Sequence, residues 1–302
     1  MFTVNPRLAE GLTRHGRNRK VIMETAAGRI LVVGDAKTLA TIRGLTELAG
    51  CEIEGCKGEL EALRRLRRRG HDVVVTSRWT SVEDDLAFLE AVRTTRPGVR
   101  GIVIAPSAEQ TEVVEAMRRH AFALFTTPFD EDELGSMIAT ALNEREWKDG
   151  IEMISGLPGW ISLRVTARTV SADRLTRFME EIQASVKDEW RAGLLAAFRE
   201  LLLNAMEHGA GFGPERTIEV SAVQTQRAIV FHFRDPGQGF SFEELGHAAI
   251  SNPATDPLLH TTRRDELGLR PGGFGILIAR RVADELYYNE AGNQVLLIKH
   301  IA

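Results

Sequence analysis

The residues that decide the fold of the C-terminal half read Glu200-Leu-Leu-Leu-Asn204-Ala-Met-Glu-His208-Gly209. They close a mostly apolar interval from about 191 to 209, which predicts a helix. Glu200, Asn204 and His208 recur every four residues, so their side chains share one face of that helix. A polar stripe within an apolar helix is costly unless something satisfies it. The stripe therefore marks a candidate site.

The stripe contains the groups that a magnesium ion with triphosphate oxygens would need. Magnesium takes hard oxygen ligands and usually only one or two from protein, so the side-chain oxygen of Asn204 suits it. Glu200, one turn earlier, is placed to orient or deprotonate a water or a hydroxyl. The alternative is the solvent-facing stripe of an ordinary amphipathic helix. Taken alone, this segment leaves the two interpretations evenly matched.

A second motif follows the strand-like run Ala228–Phe233 and reads Arg234-Asp235-Pro-Gly237-Gln-Gly239. An aspartate accepts a hydrogen bond from an exocyclic amine, which adenine has at the position where guanine has a carbonyl oxygen. Gly237 and Gly239 would let the backbone pass close to a base. In isolation a plain turn is the favoured interpretation, because Asp, Pro and Gly dominate turns.

A third motif, Arg270-Pro-Gly272-Gly273-Phe-Gly275, precedes a helix-like run at 276–284. A glycine loop that enters a helix presents free N–H groups and the positive end of the helix dipole to a phosphate. Arg270 would add positive charge. The alternative is a flexible loop before a helix.

In order and spacing the three motifs resemble the N, G1 and G2 boxes of the ATPase superfamily shared by histidine kinases, gyrase-type topoisomerases, Hsp90 and MutL. The closer likeness, over about residues 160–302, is to the small anti-sigma-factor serine kinases. This resemblance implies a two-layer α/β sandwich that binds ATP and Mg²⁺, with Glu200 as catalytic base, Asn204 as Mg²⁺ ligand and Asp235 as adenine reader. The cofactor-binding residues it implies are Asn204, His208, Gly209, Asp235, Gly237, Gly239, Arg270, Gly272, Gly273 and Gly275.

The N-terminal half alternates strand-like and helix-like segments, beginning with the apolar run Arg29-Ile-Leu-Val-Val-Gly34-Asp35. Five strands alternating with five helices predict a doubly wound parallel α/β sheet. The predicted strands cover 29–35, 51–54, 72–76, 101–105 and 121–125, and the predicted helices 37–49, 58–69, 82–95, 108–119 and 131–145. Over residues 29–146 the pattern resembles a response-regulator receiver domain.

This half departs from the receiver pattern at the positions that carry its chemistry. Only Asp35 remains of the acidic pair, and Ser77 stands where the phosphorylated aspartate is expected. Ala105 replaces the hydroxyl residue, and Thr127 replaces the lysine before Pro128. Phosphoryl transfer to aspartate needs a carboxylate nucleophile, a Mg²⁺ site and a cation for the developing charge. The departures predict a pseudo-receiver that keeps the fold and has lost aspartyl phosphorylation.

The chain of 302 residues fits two domains of about 100–200 residues each. We expect a flexible arm at 1–28, a pseudo-receiver at 29–146, a linker at 147–160 and the ATPase domain at 161–302. The net charge of -4 argues against direct nucleic-acid binding. The sequence shows no apolar run of membrane-spanning length and no signal peptide, so we expect a cytoplasmic protein that does not enter a membrane.

A histidine autokinase needs a helical hairpin with a phosphoacceptor histidine ahead of its ATPase domain, and the interval from Phe129 to Trp160 has neither. Gyrase-like, Hsp90-like and MutL-like proteins carry large domains after the ATPase, and little sequence follows the last predicted strand here. The resemblance then implies a serine/threonine kinase acting on a STAS-type anti-anti-sigma protein. The alternative is a nucleotide-gated protein that sequesters a sigma factor or another regulator without turnover. Receiver folds commonly pair through their fourth and fifth helices, so the pseudo-receiver is expected to dock partners or form a homodimer.

Overall fold

The computed structural model describes residues 28–78, 81–144, 148–239, 266 and 275–301. In these residues the chain forms a five-stranded sheet followed by a six-stranded sheet. The predicted arm at 1–28 lies outside the described residues except for its last residue, Gly28. No helix in the described ranges combines the length and the apolar character needed to cross a membrane.

The first sheet is parallel throughout and has the strand order β2-β1-β3-β4-β5. This is one of the two common orders of doubly wound folds, so the predicted fold class of this half is confirmed. Its strands are β1 Arg29–Gly34, β2 Glu52–Cys56, β3 Val73–Ser77, β4 Arg100–Ala105 and β5 Ala123–Thr126. Its helices are α1 Ala36–Gly44, α2 Glu59–Arg68, α3 Val82–Thr95, α4 Gln110–Arg118 and α5 Glu131–Asn143, with a 3₁₀ turn at Thr46–Leu48.

The second sheet is antiparallel and has the order β10-β11-β9-β8-β7-β6. Its strands are β6 Ile151–Leu157, β7 Trp160–Thr166, β8 Thr217–Gln224, β9 Ala228–Arg234, β10 Glu285–Tyr288 and β11 Gln294–His300. The helices are α6 Thr169–Ile182, α7 Asp188–Asn204 and α8 Gly275–Val282. Phe198 of α7 packs on Phe231 and Phe233 of β9 with ring centroids 5.0 and 5.2 Å apart. The expected α/β sandwich is confirmed.

The interval predicted as a linker, 147–160, contains strand β6. This strand forms the edge of the second sheet and pairs with β7, with a register shift between Met153 and Ser155. Gly156 lies within this strand, and Pro158 and Gly159 form the turn to β7. The domain boundary itself stays a prediction.

Side-chain hydrogen bonds and an ion pair join the two domains, in addition to the covalent chain. The guanidinium of Arg174, on α6, is fully buried and donates to the backbone oxygens of Phe122 and Ala121 at 2.8 and 2.9 Å. It also pairs with Asp149 Oδ1 at 2.6 Å. Helix α6 therefore packs on its own sheet and on the first domain at once.

Candidate functional site

Helix α7 positions the polar stripe predicted from the sequence. Its apolar side is buried against the sheet, whereas Glu200 and Asn204 remain half-buried. After Asn204 the helix widens into a π turn at Ala205–Gly209, in which the N–H of Ala210 donates to the Ala205 oxygen at 3.0 Å. Single π turns occur frequently at functional sites. The turn carries His208, whose exposed ring lies 3.9 Å from the Glu207 carboxylate.

The first and third motifs meet at the start of α8. A Cβ atom added to Gly275 would lie 2.9 Å from Asn204 Nδ2 and 3.0 Å from Glu200 Oε2. Any side chain at position 275 would therefore displace one of these two groups. The fold places the first residue of α8 directly beside the amide and the carboxylate that the sequence singled out.

The first and second motifs meet at Asp235. A Cβ atom on Gly209 would lie 2.1 Å from both Cγ and Oδ1 of Asp235, and one on Gly237 would lie 2.8 Å from the Gly209 Cα. The N–H of Gly237 donates to Asp235 Oδ1 at 2.8 Å. Both glycines are thus required by close packing. The three motifs are contiguous through Gly209, Asp235 and the end of α7.

A short turn between β10 and β11 supports the second motif. Gly239 has φ of +84°, and a Cβ there would lie 1.7 Å from the Ala291 oxygen. The side-chain amide of Asn293 donates to the Gly237 oxygen at 3.1 Å, and the N–H of Asp235 donates to the Asn293 oxygen at 3.0 Å. The role of Asn293 was not predicted from the sequence, because an asparagine beside a glycine is typical of an ordinary turn.

The environment of Asp235 is partly desolvated. Burial raises the pKa of this carboxyl above its ordinary value, and the hydrogen bond from the Gly237 N–H opposes that rise. Burial disfavours the charged form of a carboxyl unless a donor is supplied. A ligand that donates an N–H hydrogen bond to Asp235 would therefore replace the hydrogen bonds to water that this carboxyl loses on burial.

The remaining predicted site residues, Arg270, Gly272 and Gly273, lie outside the described residues. The described residues at both ends of the candidate site fit an adenine nucleotide with Mg²⁺. At the Asp235 end, Gly209 and Gly237 pack closely against the carboxylate, whose position a side chain at either glycine would disturb. At the Gly275 end a helix N-terminus adjoins a carboxylate and an amide, the donor set that suits phosphate and a hard cation.

In the first sheet, Ser77 and not a carboxylate stands where the phosphorylated aspartate of a receiver is expected. Ser77 ends β3 and is fully buried, and a Cβ on Gly34 would lie 2.2 Å from its Oγ. Asp35 caps α1 by accepting from the Thr38 N–H at 2.7 Å. The nearby Asp85 accepts from Thr76 Oγ1 at 2.6 Å and pairs with Arg78 at 2.8 Å. Structural bonds therefore engage both carboxylates.

Residues 165–299 match the family model of the histidine kinase-like ATPase domain. The matched range contains all three motifs and the helix that carries Glu200 and Asn204. No match was found among curated proteins.

Several solved structures of receiver domains and response regulators are similar to part of the chain. A response regulator from Thermotoga maritima is 20% identical and covers 39% of this chain and 98% of its own, with a TM-score of 0.36. The beryllofluoride-activated NtrC4 receiver domain dimer is 22% identical, with 38% and 97% covered and a TM-score of 0.36. NtrX from Brucella abortus, in complex with ADP, is 25% identical, with 39% and 26% covered and a TM-score of 0.35.

The strand order of the first sheet and the family match of the second part lead to one description of the chain. It joins a receiver-like domain to a histidine kinase-like ATPase domain.

Proposed function

We propose that this chain binds ATP with Mg²⁺ and transfers the γ-phosphate to a serine or threonine hydroxyl of a STAS-type anti-anti-sigma protein. The observation that carries the proposal is the contact of Gly275 with both Glu200 and Asn204. It supports the proposal because a carboxylate that could accept a proton and an amide that could bind a metal lie beside the helix end where phosphates would bind. The domain composition supports a regulatory ATP-binding protein.

The adenine base would lie at Asp235. The carboxylate would accept a hydrogen bond from the exocyclic amine, and the close packing of Gly209 and Gly237 supports its position. A guanine would bring a carbonyl oxygen to the same place, and two acceptors would then face each other. This end of the site provides selectivity for the base.

The phosphates would lie at the N-terminus of α8, with Gly275 as its first residue. Magnesium held by Asn204 would neutralise charge on the phosphate oxygens. In the transfer, the acceptor hydroxyl oxygen bonds to the γ-phosphorus, the bond from that phosphorus to the β–γ bridging oxygen breaks, and ADP leaves. Glu200 takes the hydroxyl proton.

The receiver-like domain is proposed to be a docking module that takes no phosphate. Ser77 is buried where an aspartate would be the nucleophile, and Asp35 and Asp85 are engaged in structural hydrogen bonds. Beryllofluoride titration is expected to leave this domain unchanged. A stoichiometric aspartyl phosphate after incubation with acetyl phosphate would contradict this part of the proposal.

The test is transfer of radiolabelled phosphate from ATP to STAS-type proteins encoded near the gene for this chain. Glu200→Gln is expected to lower transfer by about 100-fold or more with ADP affinity retained, since proton transfer to a positioned base contributes about that much. Asn204→Ala is expected to remove the Mg²⁺ dependence of nucleotide binding. Nucleotide binding without transfer to any STAS protein would favour the alternative, a nucleotide-gated protein that sequesters a sigma factor. No binding of Mg-ATP by the unaltered protein would refute the proposal.

A further inference from the structure

Helix α6 presents a buried charged stripe to the receiver-like domain. Arg174, Arg177 and Glu181 are spaced at i, i+3 and i+7, so they share one helix face, and each is at most 6% exposed. Charged side chains are rarely buried to this degree unless they are paired. The apolar residues of α6, which include Leu175, Met179 and Ile182, are buried in the hydrophobic core.

Across the interface, Arg177 and Glu181 find their partners on β5 and α5. The Glu181 carboxylate accepts from both the N–H and the hydroxyl of Thr126, at 3.0 and 2.8 Å. Arg177 pairs with Glu181 and, at 3.0 Å, with Glu133, and its guanidinium lies 4.7 Å from the Phe125 ring centroid. Arg177 also pairs with Glu180 of its own helix. Two donors on the Glu181 carboxylate and a cation among three acidic groups fix the helix in rotation and in register.

Nearer its N-terminal end, α6 is tied to the helix that carries the proposed base. Asp173 pairs with Arg199 of α7 at 2.8 Å, and Arg199 directly precedes Glu200. The two helices also pack along their apolar faces. One helix thus bonds the receiver-like domain at residue 181 and α7 at residue 173.

We propose that Thr126, Arg177, Glu181 and Asp173 are positioning residues: the docked receiver-like domain sets, through α6, the placement of Glu200 for phosphate transfer. This inference rests on the proposed function. The adenine end of the site is held by the turn that contains Asn293, to which α6 makes no hydrogen bond or ion pair in the described residues. Changes at the domain interface are therefore expected to alter transfer and leave adenine binding unaltered.

The test uses the full-length chain and variants at the two ends of α6. Thr126→Val removes one donor to Glu181, and Asp173→Asn removes the ion pair to Arg199. Each is expected to lower the kcat of transfer about tenfold with KM for ATP and Kd for ADP changed less than about twofold. Thr140→Val is the matched control, because the Thr140 hydroxyl bonds only within α5, to Ser136. It is expected to change nothing.

Amide hydrogen exchange tests the inference without relying on turnover. In Thr126→Val the amides of α7 are expected to exchange about tenfold faster, while β9 and the loop at 235–239 keep the exchange rate of the unaltered protein. Unchanged α7 exchange, or equal acceleration throughout the ATPase domain, would overturn the inference. If the unaltered protein binds no ADP, the proposed function fails and the exchange pattern still decides whether the interface positions α7.

Discussion

At the residue scale the site depends on the absence of side chains at three glycines. Gly209, Gly237 and Gly275 each lie within 3.0 Å of a functional group when a Cβ is added. None of these three has a positive φ among the described backbone. Their role is close packing, which sequence inspection cannot separate from turn formation.

Gly209→Ala is expected to abolish ADP binding with little loss of folding, because its Cβ would need the space that Asp235 Oδ1 occupies at 2.1 Å. Isothermal titration calorimetry measures the affinity and circular dichroism the fold. Gly98→Ala is the matched control, since nothing lies within 4 Å of a Cβ at that position. ADP affinity within about twofold of the unaltered protein in Gly209→Ala would show that Asp235 lies outside the binding site.

Asp235→Asn is expected to separate stability from binding. Because the pKa of Asp235 is raised in the folded state, the charged carboxyl costs stability that increases as the pH rises above its ordinary value of 3.8. Removing the charge should therefore raise the melting temperature at pH 8 relative to the unaltered protein, and change it less near pH 4. The same variant should lose selectivity for ADP over GDP. A lower melting temperature at pH 8 would contradict the assignment of burial as the cause.

At the element scale, the repeated strands and helices of the first domain could be predicted because their apolar runs and periodicities are strong. The predicted helix at 58–69 and strand at 72–76 agree within a residue with α2 and β3. Strand β6 was not predicted, because Gly156 and Gly159 dominate its local sequence and an edge strand has only one paired neighbour. The π turn has no sequence signal of its own.

The burial of the charged stripe of α6 was also not predicted from the sequence. In sequence, charges at i, i+3 and i+7 are typical of a solvated helix face, and burial by another domain leaves no local mark.

The contact of Gly209 with Asp235 was implied only by the family resemblance, since those residues lie 26 positions apart. Long-range contacts of this kind depend on the sheet register.

Arg174→Met is expected to lower the free energy of unfolding by about 3–5 kcal/mol, because it leaves the Asp149 carboxylate and three backbone oxygens without their buried donor. Urea denaturation measures the change. Arg164→Met is the matched control: its ion pair with Glu152 is solvent-exposed, so a loss of at most about 1 kcal/mol is expected. Equal effects of the two substitutions would mean that Arg174 is not a structural tie.

At the scale of the whole molecule, the apolar cores of the two domains are continuous across α3, α4, β6 and α6. The receiver-like surface built from α4 and β5 is covered by the chain's own α6 and β6. A homodimer through the fourth and fifth helices remains a proposal.

Nucleotide binding is expected to stabilise both domains. At an ADP concentration of 100 times Kd the linkage contributes about 2.7 kcal/mol to a unit that unfolds together. We expect a single thermal transition whose midpoint temperature rises with ADP. Amide hydrogen exchange, measured separately in β5 and in α7, follows the response of each domain. A receiver-like transition that ADP leaves unmoved would show that the domains unfold independently.

The Arg174, Arg177 and Glu181 stripe limits the interchangeability of the two domains. A receiver from another protein, fused at the same joint, would need open carbonyls just before its fifth strand and a hydroxyl residue at the end of that strand. Without them the guanidinium of Arg174 and the carboxylate of Glu181 would each lose buried hydrogen-bond partners. The two domains are therefore expected to be inherited and recombined as one module, and chimeras should function only when the strand end and the stripe are exchanged together.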